Sequence, residues 1–364
     1  MVTVGRNGAF FCAFLYVAFC VLAFYYGLIE YRAGAVFLGV TIFSIMLTIS
    51  QFRNGISFFS IMGLSICFLM FSLFNYKWSD YRSVFTVFIF VASFGVAWYS
   101  LEFRKTNYFF ELPFKVFLIF TIYLMVFEGY GPSEFNTILF ESSRNVYSGI
   151  LLALASGYIL SRDYRGEAVS VALLFLVCLT SIPLYSRNGI FVSVLLFFCA
   201  LWRRSTIASS LLVMVGLVFL ALGWDYVCEL MRSNTNLSAG LESDRYYIAK
   251  DYFDNLDLVG FFAGMDLSRV PMVEAFGGNP HSAFLRLHSF FGVSVFLLMI
   301  VSMISFVTLL LEKKILLALV LLLYLFRAAF DIFYLFNLFD YLVFPLVFYW
   351  YFRRFWRSPK SADY

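Results

Sequence analysis

The sequence predicts an all-α polytopic membrane protein with about twelve transmembrane helices and one large outer loop. The chain is 62% hydrophobic and only 13% charged, about half the charge of an average soluble domain. Apolar runs of about 18 residues or more recur along the chain, and each is long enough to cross a bilayer as a helix. The first run, Ala9 to Ile29, has no small-residue cleavage site, so we interpret it as a retained span.

The spans follow one another through short loops, with one exception. A loop of about 60 residues, Trp224 to Ala283, separates the ninth span from the tenth. We therefore divide the chain into spans 1–9 within residues 1–223, a loop with short helices at 224–283, and spans 10–12 with a tail at 284–364. The predicted spans lie near 9–30, 33–50, 56–75, 83–101, 112–128, 145–160, 168–185, 189–202, 206–223, 284–311, 314–330 and 335–352.

The distribution of basic residues predicts the orientation. Cytoplasmic loops of membrane proteins carry an excess of lysine and arginine. With a cytoplasmic amino terminus, inner loops hold roughly twice as many basic residues as the short outer ones. All basic doublets are then internal: Arg104–Lys105, Arg203–Arg204, Lys313–Lys314 and Arg353–Arg354. Both termini are predicted to be cytoplasmic, and the long loop faces outward.

Two outward arginines run against this charge rule and are candidates for function. Arg144 begins the stretch "RNVYSGILLAL", and Arg187 begins "RNGIFVSVLLFF". From Arg203 back to Arg187 is about 24 Å of helix, less than the hydrocarbon thickness of about 30 Å. Arg187 is therefore expected to lie below the outer interface, facing a water-filled cavity.

A second group of charges is predicted at a similar depth. The same calculation of membrane depth from helix length places Arg327 and Asp340 at a similar depth, with Asp331 one helical turn from Arg327. Charges at membrane depth usually pair with one another. We interpret these three residues mainly as a structural ion cluster in the cavity wall.

The outer loop is too aromatic to be a disordered linker. Ser243 can cap a helix from Asp244 to about Asn255, with Arg245 in its first turn. A metal site is conceivable at three aspartates of this region, but a solvated helix face is the better interpretation. They are Asp251, Asp254 and Asp257. No Cys-x-x-Cys motif occurs, and no metal or cofactor is expected.

The end of the loop, "GGNPHSAFLRLHSFFG", contains both histidines of the chain. Asn279 and Pro280 are predicted as the N-cap and first residue of a helix, which places His281 in its first turn. The free N–H groups and dipole of that turn favour an anion and disfavour a charged imidazolium. His281 is then a neutral base, with Arg286 and His288 further along a similar face.

One neutral base beside several outward arginines fits transfer from an activated phosphorylated donor. No Walker A or Gly-x-Gly-x-x-Gly motif is present, and a nucleotide supply is lacking outside the cytoplasmic membrane. A lipid-linked pyrophosphate sugar meets the need for an activated donor. Arginines would hold its phosphates, and a histidine could take the proton of an acceptor hydroxyl.

The motifs resemble those of the O-antigen polymerase and O-antigen ligase superfamily. The similar stretches are "SSRNVYSGILLAL", "SRNGIF", "SDRYYIAKDYFDN", "GFFAGM" and "NPHSAFLRLHSFFG". The order is that of the family: an arginine motif between two spans, a large periplasmic loop, then a histidine motif opening the next span. The likeness covers about residues 144–292, and Asn188 between Arg187 and Gly189 departs from it.

The resemblance implies a metal-independent, inverting glycosyltransferase of the C type in the inner membrane of a Gram-negative bacterium. Its active site would be periplasmic. Its substrates would be undecaprenyl-pyrophosphate-linked oligosaccharides, with a chain-length regulator and a flippase as partners and no nucleic acid. Roles expected on this basis are base for His281, pyrophosphate binding for Arg187, and substrate binding for Arg245, Arg144, Arg286, Asn279 and His288.

Three functions remain open from the sequence. A polymerase would add the growing glycan to a new lipid-linked repeat, and the resemblance favours this choice because the short, very Phe-rich chain with weakly matching motifs is similar to the divergent polymerases of the family. A ligase would transfer the polymer to lipid A core by the same chemistry. A lipid-oligosaccharide flippase or other transporter would also use arginines within the membrane, although such proteins usually show internal repeats, and this sequence has no convincing one.

Overall fold

The protein is helical throughout the part of the chain that the structure describes, and no β-strand occurs there. This structure is a computed structural model, which describes residues 6–25, 56–79, 81–139, 143–226, 229 and 244–357. The predicted span 33–50 and the loop residues between 230 and 243 lie outside these ranges. The all-helical class predicted from the sequence is therefore confirmed for the described residues.

Ten helices precede the long loop in this part of the chain. They are α1 (Arg6–Tyr25), α2 (Ile56–Phe74), α3 (Tyr76–Ser79), α4 (Tyr81–Glu102), α5 (Leu112–Val126), α6 (Pro132–Thr137), α7 (Arg144–Tyr164), α8 (Val171–Ser181), α9 (Arg187–Arg204) and α10 (Thr206–Leu222). A π-helical segment, Asn107–Glu111, leads directly into α5. Helices α4 and α7 lie at the centre of the described residues. Most of α4 is buried, and in α7 every residue from Tyr147 to Ser161 is buried.

Eight further helices follow in the described residues after position 243. They are α11 (Asp244–Asp254), α12 (Leu258–Ala263), α13 (Pro271–Ala275), α14 (Ala283–Phe291), α15 (Val295–Leu311), α16 (Ile315–Phe330), α17 (Phe344–Val347) and α18 (Tyr349–Arg357). Short 3-10 helices cover Leu267–Arg269, Gly292–Ser294 and Leu338–Leu342. Helix α11 covers the stretch for which the sequence predicts a helix starting at Asp244.

Three helical stretches are long and apolar enough to cross a membrane: Arg82–Glu102, Asn107–Val126 and Ala283–Leu311. Shorter apolar helices occur within α1, α2, α8, α10 and α16. These apolar helices fit a helical membrane protein and suggest association with a membrane. The number of twelve spans and the fold of a type C glycosyltransferase stay predictions.

The prediction of one continuous span at 335–352 is wrong. The chain there forms a 3-10 helix, α17 and α18 in succession. Leu335 and Phe336 adopt left-handed conformations, with φ of 57° and 60°, which no α-helix contains. Asn337 then caps the 3-10 helix, and Pro345 lacks the N–H that would continue a helical hydrogen-bond ladder.

Polar residues gather at two opposite ends of α7, which is about 31 Å long. At its carboxyl end, Asp163 accepts hydrogen bonds from Lys314 at 2.8 Å and from the Trp356 indole at 3.3 Å. Arg203 lies 3.5 Å from the same carboxylate. This end of the bundle, here the Asp163 end, joins α7, α9, α16 and α18. The opposite end, where α7 begins, contains most of the predicted site residues.

Candidate functional site

The amino-terminal ends of α7 and α9 are in direct contact. A Cβ atom placed on Gly189 would lie 2.0 Å from the Oγ atom of the buried Ser148. The glycine of "SRNG" therefore allows the helix that begins at Arg187 to approach the helix that begins at Arg144. The Arg187 side chain is exposed and that of Arg144 is partly buried.

Arg327 connects this contact to the end of α16. Its guanidinium donates to the Asn145 carbonyl at 2.8 Å and to Ser148 Oγ at 3.5 Å. It also pairs with the Asp331 carboxylate at 3.6 Å. The arginine is only 2% exposed, so its charge depends on these partners. The pair expected between Arg327 and Asp331 is thus present.

Asp340, the third member of the expected ion cluster, has other partners. Its carboxylate accepts hydrogen bonds from the Tyr324 hydroxyl and, at 2.8 Å, from the Asn337 backbone N–H. The positive charge of Arg286 acts on this carboxylate. Asp340 is therefore bound by Tyr324 and Asn337, whereas Asp331 pairs with Arg327.

Arg245 brings the long loop to the same end of the bundle. Burial lowers the pKa of Arg245, the Asp331 carboxylate raises it, and the positive charges of Arg187 and Arg327 lower it again. The charges of Asp331, Arg187 and Arg327 therefore all act on Arg245. Three arginines and one aspartate give this group a net positive charge suited to an anion.

Arg286 supports the chain break rather than the open side of this cluster. Its guanidinium donates to the Leu335 carbonyl at 2.7 Å and lies 3.4 Å from the Tyr334 carbonyl. Its Nε atom is buried and has no hydrogen-bond partner among the residues the structure describes. The bonds to the left-handed turn explain why this arginine is needed there, and its predicted role in substrate binding stays a prediction.

The expected helix start at Asn279 and Pro280 is wrong. Helix α14 begins at Ala283, and its N-cap is Ser282, whose Oγ accepts from the Leu285 N–H at 3.4 Å. The Asn279 side chain instead accepts from the His281 backbone N–H at 2.8 Å. His281 has a φ of 50°, which is incompatible with the first turn of a helix.

His281 is held in a rare backbone conformation just before α14. A left-handed conformation costs a non-glycine residue free energy and is found preferentially at functional sites. Its ring is partly buried and lies edge-on to Phe276, with centroids 5.5 Å apart. Two residues further on, the Ala283 N–H donates to the Asp331 carbonyl at 3.1 Å. The segment that carries His281 thus contacts the acidic residue of the arginine cluster.

His288 has both ring nitrogens engaged. Nε2 lies 3.0 Å from the Phe261 carbonyl, and Nδ1 lies 2.7 Å from the Tyr252 hydroxyl. A carbonyl can only accept, so Nε2 carries the proton and Nδ1 accepts from the tyrosine. Burial of that hydroxyl raises the pKa of Tyr252. His288 therefore attaches α11 and α12 to α14, a positioning role, and its predicted contact with substrate stays untested.

Two glycines allow the loop to dock closely on α14. A Cβ atom on Gly264 would lie 2.3 Å from the Ser289 carbonyl, and one on Gly292 would lie 2.1 Å from the Phe262 carbonyl. Asn75 completes the junction by donating to the carbonyls of Ala263 and Phe290 at 2.6 and 2.9 Å. No local pattern in the sequence indicates a role for these residues, although both glycines lie within the motifs that carry the family resemblance.

The loop aspartates are engaged in local structure. Asp257 caps α12 by accepting from the Gly260 N–H at 2.5 Å, and Asp251 accepts from the Met272 N–H at 2.8 Å. Among the described residues, no three His, Cys, Asp or Glu side chains are grouped so that they could hold a metal ion. Two of the three aspartates at this spacing, Asp251 and Asp257, therefore bind backbone N–H groups.

Comparison with known proteins adds no relative to this description. Family models, curated proteins and solved structures were each searched, and none matches the chain. The resemblance to the O-antigen polymerase and ligase superfamily therefore depends on the short motifs and on the predicted number of spans.

Proposed function

We propose that the protein is a glycosyltransferase that polymerises a surface polysaccharide such as O-antigen. It would transfer the growing glycan from undecaprenyl pyrophosphate to a new lipid-linked repeat. The observation that carries this proposal is the group of Arg187, Arg245, Arg327 and Asp331, in which Arg327 pairs with Asp331 at 3.6 Å and the charges of the other three residues act on Arg245. A pyrophosphate supplies the negative charge that this group lacks.

In the proposed reaction, an acceptor hydroxyl oxygen attacks the anomeric carbon of the donor sugar. The bond between that carbon and the phosphate oxygen breaks, and undecaprenyl pyrophosphate leaves with the bonding electrons. Arg187 and Arg245 would stabilise the charge that develops on the departing group, with Arg144 at the neighbouring helix start as a helper. Arg327 would contribute mainly through its charge, because its hydrogen bonds are directed to protein atoms. The arginines would make a metal ion unnecessary.

His281 is the proposed general base. Its segment contacts Asp331 through the Ala283 N–H, and its strained conformation is maintained by the Asn279 side chain. A neutral imidazole there could accept the proton of the acceptor hydroxyl as the new glycosidic bond forms.

The orientation proposed is that of a periplasmic site. The arginine group lies at the end of α7 opposite to Asp163. The Asp163 end gathers basic residues, including Lys314 and Arg203, as cytoplasmic surfaces do. The amino-terminal half of α1 packs near this end. Its Phe10 contacts Phe109, and Glu111, two residues further along the chain, pairs with Arg165 near the Asp163 end. Trp356 also lies at the Asp163 end, which supports cytoplasmic positions for both termini.

Electrophoresis of surface polysaccharide from a deletion strain tests the function. A single repeat on lipid A core is expected and identifies a polymerase. Polymer retained on the lipid carrier would identify a ligase, and single repeats confined to the inner leaflet would identify a flippase. Either of the last two results would reject the proposal.

Complementation of that strain tests the residues. His281→Ala is expected to abolish polymer while the protein level and membrane insertion stay normal. Arg187→Lys is also expected to fail, because lysine cannot form the paired hydrogen bonds of a guanidinium with phosphate. Arg269→Lys, at an exposed loop position, is the matched control and should retain polymer. Normal polymer with His281→Ala would exclude His281 as the base.

A further inference from the structure

Helix α12 exposes a row of large apolar side chains although it belongs to the outer loop. Leu258, Val259 and Phe262 are 74%, 68% and 52% exposed. Apolar side chains in such a row are unfavourable in water and indicate a contact surface. The row belongs to a helix that is held in place, because Gly264 and Gly292 bring it against α14.

The apolar surface of α12 continues onto a membrane-spanning segment. The rings of Phe261 and Phe296 are in contact, with centroids 6.0 Å apart. Phe296 is near the start of α15, whose outer face also exposes Leu297 and Ile300. Helix α15 belongs to the candidate span Ala283–Leu311, so its exposed apolar face is the face that lipid covers.

The length of α15 places α12 at the edge of the hydrocarbon. Helix α15 and the preceding 3-10 turn Gly292–Ser294 together extend about 31 Å, close to the hydrocarbon thickness of about 30 Å. Lys314, just beyond the far end of α15, binds Asp163 at the Asp163 end. The other boundary then falls near Gly292, where α12 packs. Phenylalanine and leucine on the apolar face of an interfacial helix are typical of this depth.

We propose that α12 is inserted among membrane lipids, with Leu258, Val259 and Phe262 in contact with acyl chains of the leaflet on the loop side. The loop is thereby attached to the bilayer next to the arginine group, and α11, with Arg245, is fixed relative to the lipid surface through His288. The proposal requires only that the protein lies in a membrane and does not depend on the polymerase function.

Photocrosslinking in the full-length protein tests the lipid contact. Leu258→benzoylphenylalanine would be introduced, and the protein placed in vesicles of phosphatidylethanolamine and phosphatidylglycerol that carry alkyne-tagged acyl chains. Ile300→benzoylphenylalanine on α15 is the positive control, and Glu274→benzoylphenylalanine on α13, an exposed charged position of the same loop, is the negative control. Monodisperse elution of each variant in detergent establishes that it folds.

The expected result is a lipid adduct at Leu258 at a level comparable with that at Ile300, and none above background at Glu274. An adduct at Ile300 without one at Leu258 would overturn the proposal. So would a crosslink from Leu258 to a second 42.0 kDa chain or to another protein, because the surface would then be a protein interface.

Discussion

Asp331→Asn separates the two roles of the arginine group, stability and anion binding. Asparagine preserves the shape of the side chain and the acceptor for the Phe333 N–H, which Asp331 Oδ1 binds at 3.1 Å. It removes only the charge that faces Arg327 at 3.6 Å. Arg327 is almost fully buried, so its charge loses a partner that water cannot replace.

The expected loss of stability follows from that burial. Removing one partner of a buried pair costs about 3–5 kcal/mol. The Asp331 side chain is 13% exposed, and Arg327 retains the Asn145 carbonyl and the ring face of Tyr334. The lower value, about 3 kcal/mol, therefore applies. With an unfolding entropy of about 2.1 cal/mol/K per residue, the chain of 364 residues should lose about 4 °C in Tm.

Binding of an anion should change in the opposite direction. Asp331 repels a phosphate that approaches Arg187 and Arg245, and the neutral asparagine does not. Pyrophosphate should therefore raise the Tm of Asp331→Asn by more than it raises that of the unaltered protein. The assay is differential scanning fluorimetry in detergent at low ionic strength, because salt screens these charges.

The matched control is Asp254→Asn, which removes an exposed loop carboxylate outside the group. Its Tm and its response to pyrophosphate should equal those of the unaltered protein. If Asp331→Asn behaves in the same way as this control on both measurements, the arginine group is neither stabilised by Asp331 nor a site for anions.

Two further substitutions test the contacts that hold the site. Gly189→Ala should lower the free energy of unfolding by about 1–3 kcal/mol through overpacking against Ser148, which is measured as a fall in Tm. Ser148→Ala in the same chain should recover part of that loss. If Tm does not recover, this contact is not the cause. His288→Phe leaves the buried Tyr252 hydroxyl without its acceptor, which should lower the free energy of unfolding by about 1–3 kcal/mol. Limited proteolysis should then cut the loop faster. His281→Phe is the control and should leave the cleavage rate unchanged.

Much of the site arrangement could be predicted because membrane topology restricts where helix ends lie. Arg144 and Arg187 both follow loops predicted to face outward, so their helices are expected to begin at the same end of the bundle. Arg245 belongs to the loop that leaves from that end. The charge of Arg187 acts on Arg245, as expected for residues at the same end, and Arg327 pairs with Asp331, one turn away.

Features that depend on distant parts of the chain could not be predicted. Asn75 binds the carbonyl of Ala263, 188 positions away, and no local pattern indicates such a bond. The left-handed conformation of Leu335 is stabilised by Arg286 from another helix, so hydropathy alone indicated a continuous span there. The start of α14 depends in part on such a distant contact, because the Ala283 N–H donates to the Asp331 carbonyl, although its N-cap, Ser282, is local.

The small hydrophobic core of the long loop is shared with the helix that follows it. Ile248, Tyr252 and Val273 pack together with Leu285, which belongs to α14. Residues 224–283 expressed alone would lack that leucine and the imidazole that binds Tyr252. The loop should therefore not behave as an autonomous soluble domain, and antibodies raised against such a fragment should recognise the native protein poorly. Immunisation or ligand screening would need the intact chain in detergent or nanodiscs.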